Sequence, residues 1–88
     1  MIIEQKQNEL FKYINNNLNR ILRKDLKLVE GLDNTEFIDF EDSQYTYTIA
    51  KQDITEDLIS QHDSEDSLQE FVFKKLIEKS EKEKSLLQ

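Results

Sequence analysis

The sequence predicts an α+β fold: an N-terminal helix, a small antiparallel meander of two or three strands, then a short helix and a longer C-terminal one. Three observations carry this prediction. Apolar residues recur at helical spacing near both ends of the chain. Between them, FIDF and YTYT alternate aromatic or branched residues with polar ones, the period of a half-buried strand. Finally, 88 residues with 36% apolar and 35% charged content suit one lean domain, residues 1–88, and no more.

The first helix is expected over residues 3–23. Leu10, Phe11, Ile14, Leu18, Ile21 and Leu22 form its stripe, and Arg20, Arg23, Lys24 and Lys27 suit the negative pole of its dipole. Asn15, Asn16 and Asn17 are mediocre helix formers, so packing must hold this stretch. Residues 25–30, DLKLVE, admit two readings. Either the helix continues through Leu26 and Val29 to a left-handed cap at Gly31, or the segment is a strand with Leu26 and Leu28 facing inward. In the second reading Gly31 and the following LDN supply the turn into the next strand. The strand reading is preferred, because an isolated two-stranded hairpin is marginal without cover.

Residues 37–50, FIDFEDSQYTYTIA, read as a hairpin with Asp42 and Ser43 at its tip. That register sets Phe40 opposite Tyr45 and Ile38 opposite Tyr47, with Ile49 on the same face. The other face then carries Phe37, Asp39, Glu41, Thr46 and Thr48. Without glycine at the tip, a four-residue loop around a type I turn is expected. Asp53, three residues before Glu56, reads as the cap of a short helix over 54–60 that buries Ile54 and Leu58. Ser64 reads as the start of the last helix, with Glu65 and Asp66 in its first turn. Leu68, Phe71, Val72 and Leu76 are its buried stripe, widened by Phe73 and Ile77. The polar tail, 80–88, is expected to fray.

The chemistry-bearing residues are few. With no cysteine, neither a disulfide nor a thiolate zinc site can form. There is no glycine-rich phosphate loop, and the lone histidine, His62, has no second histidine to complete a metal site. HDSEDSLQE fails as a calcium loop: counting from Asp63, glycine is missing at position six (Leu68) and glutamate at position twelve (Lys74). No enzyme activity, cofactor or metal is therefore expected. The start, MIIEQKQNELF, lacks a secretory pattern and no apolar run approaches the length of a membrane span, so a cytoplasmic protein is expected.

Charge is the most informative feature. Residues 1–29 hold three acids against six bases, and residues 71–88 hold three against five. The middle, 30–70, holds thirteen acids against Lys51 alone, which accounts for the net charge of −7. Solubility and helix capping explain some of these acids, but a merely soluble surface usually mixes signs. The remaining expectation is a carboxylate face built from Glu36, Asp39, Glu41, Asp42, Asp53, Glu56, Asp57, Asp63, Glu65 and Asp66; Phe37 is either covered by a helix or the edge of the first strand, or serves that face as an aromatic anchor. Alternate residues of one strand lie about 6.6 Å apart, so such a row imitates the regular charges of a nucleic-acid backbone. It would attract a basic, nucleic-acid-handling protein and repel nucleic acid itself.

In acidity, size and helix–sheet–helix order the chain resembles phage and mobile-element inhibitors, among them anti-restriction and anti-CRISPR proteins; the resemblance rests on composition and not on a motif. It implies a non-enzymatic inhibitor or regulator. The alternative is a structural or adaptor subunit that forms a homodimer, paired through Leu10, Ile14 and Leu18 or through Phe73, Ile77, Leu86 and Leu87.

Overall fold

The computed structural model describes residues 3–29, 35–63 and 65–87. It has the α+β architecture the sequence predicts. Helix α1 spans Ile3–Asn16, and strands β1 (Lys27–Leu28), β2 (Phe37–Glu41) and β3 (Tyr45–Ala50) follow. Then come helix α2 (Glu56–Ser60), helix α3 (Leu68–Lys82) and strand β4 (Ser85–Leu86). The four strands form one antiparallel sheet in the order β1-β2-β3-β4.

Helix α1 ends seven residues before the predicted limit, within the asparagine run. The Asn17 side-chain amide donates to the Tyr13 carbonyl at 2.7 Å, and the Asn17 N–H turns back to Ile14. Asparagine side chains compete for backbone partners in this way, so the chain leaves the helix through a 3₁₀ turn at Leu18–Arg20. The bases expected at the helix end therefore lie beyond it. Residues 27–28 are strand, which decides between the two readings of that segment. Leu26 is buried and Leu28 half-buried, opposite Phe40. The turn or cap expected at Gly31 lies outside the described residues.

The hairpin pairs Phe40 with Tyr47 and Ile38 with Ile49, two residues away from the predicted register. A shift of two leaves every side chain on its predicted face, since the strand period is two. Its cause is Asp42. One oxygen of that carboxylate accepts the backbone N–H groups of Gln44 and Tyr45, at 2.8 and 2.7 Å. This side-chain turn lets pairing run on to Glu41–Thr46 and the Asp42–Tyr45 bond, so the connection is Ser43–Gln44 and not a four-residue loop.

Both later helices start further along than predicted. Thr55, not Asp53, caps α2, its hydroxyl accepting the Leu58 N–H, and Asp53 ends a 3₁₀ turn instead. Ser67 caps α3 by accepting the Glu70 N–H at 3.2 Å, which leaves Glu65 and Asp66 ahead of the helix. Ser64, read as the start, lies outside the described residues. The tail expected to fray instead continues α3 to Lys82, buries Ser80, and adds β4 beside β3.

One core joins these elements. Leu10, Phe11 and Ile14 of α1, and Val72, Phe73 and Leu76 of α3, pack with Ile38, Phe40, Tyr47, Ile49 and Ile54. Phe40 and Tyr47 stack with ring centres 5.4 Å apart. Each such buried side chain stabilises the fold by about 1.5–3 kcal/mol relative to exposure. The architecture is thus two layers, helices against one sheet face, with no described helix on the other face.

Candidate functional site: the open sheet face

The open face follows from strand parity. Lys27, Phe37, Asp39, Glu41, Thr46, Thr48 and Ser85 all project to the side opposite the core. Across the sheet, Lys27, Glu41, Thr46 and Ser85 form one row, and Asp39 and Thr48 stand in the next. Phe37 is 45% exposed at the far end of β2, opposite Ala50. The Thr48 hydroxyl donates to Asp39 Oδ1, which fixes that carboxylate. Neither Asp39 nor Glu41 has an ion-pair partner among the described residues.

The other acids expected to share this face are distributed differently. Glu36 is paired with Lys51 at 3.0 Å, and Lys51 Nζ also donates to the Asn8 side chain. The second Asp42 oxygen accepts the Tyr47 hydroxyl, with Arg23 3.5 Å away. Those donors hold the Asp42 carboxyl below its usual pKa, the Gln44 N–H first among them, then the Tyr47 hydroxyl and the Tyr45 N–H. Asp53 lies 3.9 Å from Lys79, and Asp66 is 2.8 Å from Lys74. Bases from both flanking segments thus neutralise part of the acidic middle. Glu56 and Asp57 sit in the first turn of α2, where they suit the positive pole of the helix. Asp63 and Glu65 are exposed in the connection to α3. These last four carry no ion pair among the described residues, and they lie on α2 or in its connection to α3, not on the strand that carries Asp39 and Glu41.

Lys27 is the face residue that the sequence reading missed. It becomes legible only once residues 27–28 are strand and paired with Glu41. The opposite charges share a face, yet no ion pair closes between them. His62 places Nε2 2.6 Å from the Asp66 carbonyl, so Nε2 carries the hydrogen, and its ring lies against Phe71. Among the described residues no cluster of three histidines or carboxylates could hold a metal ion. No described helix is long and apolar enough to cross a membrane.

The helix stripes offered as a pairing seam lie largely inside the protein. Leu10, Ile14 and Phe73 are buried in the core, and Leu18 and Ile77 pack against it. Leu86 and Leu87 remain exposed, at 71% and 40%. Comparison with known proteins returned no matching family, no similar curated protein and no similar solved structure.

Proposed function

We propose that this protein is a small, non-enzymatic inhibitor or regulator of the phage or mobile-element type, acting in the cytoplasm on a basic, nucleic-acid-handling protein. Its binding surface is the open sheet face, with Asp39 and Glu41 supplying charge and Phe37 supplying an apolar anchor. One observation carries this reading: a sheet face with no described helix on it bears two carboxylates without cation partners among the described residues and an exposed aromatic ring, while Glu36, Asp42, Asp53 and Asp66 are matched by bases. An exposed ring beside unmatched charge is the composition of an interface anchor and its steering field. Glu56, Asp57, Asp63 and Glu65 add to the long-range field and not to the contact.

The test is capture from a bacterial lysate with the wild-type chain and with the double variant Asp39→Lys, Glu41→Lys, each washed at low and then high salt. The reading expects a basic partner retained by the wild type at low salt, released at high salt, and lost from the variant. Equal retention by both chains would remove the sheet face from the interface.

A further inference from the structure

We infer that the element docking on the open sheet face is an α-helix of the partner, with two basic residues one turn apart and an apolar residue one turn beyond them, laid along β2. This inference rests on the sheet-face reading above and names the form of its partner. The first reason concerns backbone hydrogen bonds. In β2 the N–H and C=O groups alternate between β1 and β3, as the Val29–Asp39, Asp42–Tyr45 and Lys51–Glu36 bonds mark out. None of them points out of the sheet plane. A partner segment lying on this face finds no backbone partner there, and an extended segment would leave its own groups to water or unpaired. A helix satisfies its backbone internally and is the element that covers the face of a sheet.

The second reason is spacing. Phe37, Asp39 and Glu41 stand on one line of β2 at strides of about 6.6 Å. Residues four apart on a helix are separated by about 6 Å along its axis. Bases at two such positions meet Glu41 and Asp39, and an apolar side chain a further turn along meets Phe37. The whole of β2 then corresponds to roughly nine helical residues, since four rises of about 3.3 Å equal about nine of 1.5 Å. Thr46 and Thr48, short side chains on the neighbouring strand, leave the line unobstructed on that side.

The third reason is charge. The Asp39 carboxylate is held in place by Thr48, and neither it nor Glu41 has an ion-pair partner among the described residues. Arginine suits Glu41, because its planar fork meets a carboxylate through two hydrogen bonds, and at Asp39 its charge meets a carboxylate already held on one oxygen by Thr48.

The experiment uses the full chain, labelled with ¹⁵N, and two synthetic peptides of identical composition. In one, arginines stand four residues apart with leucine four residues further on. In the other the same residues are permuted so that no helical face gathers them. The helical-spaced peptide is expected to bind at least fivefold tighter and to shift the amide resonances of Phe37–Glu41, and the variant Phe37→Ala should lose part of that preference while remaining folded. If both peptides bind equally and both shift β2, the helix is overturned while the sheet-face reading stands. If neither shifts β2, or if the shifts fall on α2 and α3, the sheet-face reading fails and the helix with it.

Discussion

The Tyr47 hydroxyl donates to Asp42 Oδ2 at 2.7 Å across the base of the hairpin turn. The ring of Tyr47 is stacked on Phe40 inside the core, and the other Asp42 oxygen holds two backbone N–H groups of the turn. One side chain therefore ties the tip of the hairpin to the interior. Its lone pairs are occupied within the protein, which sets it apart from Asp39 and Glu41 on the same ribbon.

Asp42→Ala should consequently destabilise the protein more than Asp39→Ala does. It orphans the N–H groups of Gln44 and Tyr45 and the hydroxyl of Tyr47, whereas Asp39→Ala releases only the exposed Thr48 hydroxyl. Asp42→Asn should fall between, because an amide keeps one acceptor but turns a second donor toward Tyr47. Urea midpoints of the three variants give the order. A midpoint for Asp42→Ala at or above that of Asp39→Ala would contradict it.

Acid sensitivity should centre on Glu70. Its carboxylate accepts from both terminal guanidinium nitrogens of Arg20 and from the Tyr13 hydroxyl, and Arg20 lies 4.6 Å over the Phe73 ring. The Arg20 bonds first, and then the Tyr13 bond, lower its pKa from 4.5 to about 2. A pKa lowered on folding means that the unfolded chain takes up the proton first. The stability due to Glu70 is therefore present above about pH 4.5 and lost as pH falls from there through about 2. Urea midpoints of wild type and Glu70→Gln should differ at pH 6 and converge near pH 2. A gap independent of pH would assign the effect to packing.

Much of this fold is legible in the sequence, because alternation survives errors of register. Phe37–Glu41 shows which side chains face inward, and a slip of two residues does not alter that. The sequence reading misplaces the start of α3 at Ser64, although SLQE, residues 67–70, carries the serine-x-x-glutamate signature of a helix start at Ser67; Glu70 itself turns its carboxylate to Arg20. Strand β4 was not legible, since two residues have no period and their assignment depends on the edge of β3. Nor were the partners of the acids. Arg23 with Asp42, Lys79 with Asp53, and Lys74 with Asp66 join residues from 8 to 26 positions apart, and only the tertiary fold brings them together. Composition reveals an acidic middle but cannot say which of its carboxylates are neutralised.

Adjacent residues of β2 should respond very differently to truncation. Ile38 is fully buried between the sheet and the helices, so Ile38→Ala should cost about 2–5 kcal/mol. Phe37 is 45% exposed on the open face, so Phe37→Ala should stay within about 0.5 kcal/mol. Urea denaturation of both variants checks the assignment of faces. A loss above 2 kcal/mol for Phe37→Ala would mean that the ring is packed and unavailable to a partner.

Removing residues 85–88 should weaken the fold without abolishing it. Strand β4 is short and exposed, and it joins β3 through the Tyr45–Leu86 and Thr46–Ser85 pairs and the Leu87 N–H to Gln44 bond. At about 0.5–1.5 kcal/mol net for each ladder bond, a loss of about 1–3 kcal/mol is expected. Hydrogen exchange of the Thr46 amide should accelerate more than that of Tyr47 or Ile49, which pair with β2. Uniform acceleration would show that β4 supports the whole sheet.

Lys27 offers the sharpest electrostatic test of the open face. It stands opposite Glu41, exposed, and closes no ion pair with it, so it opposes the negative field of the face without securing the fold. Lys27→Glu sets a like charge opposite Glu41, so it should cost up to about 1 kcal/mol of stability while tightening binding of a basic partner or of the arginine peptide. An exposed charge pair contributes about 0.2–1 kcal/mol, which converts to a gain of up to about fivefold. Screening sets the salt dependence: at 0.15 M the Debye length is about 8 Å, comparable to the strand-to-strand distances on this face. The gain should therefore appear mainly in the association rate at low salt and fade at high salt. Asp39→Lys with Glu41→Lys should move both quantities the other way. If Lys27→Glu instead weakens binding, the lysine contacts the partner directly, and that partner must carry acids where this face meets it.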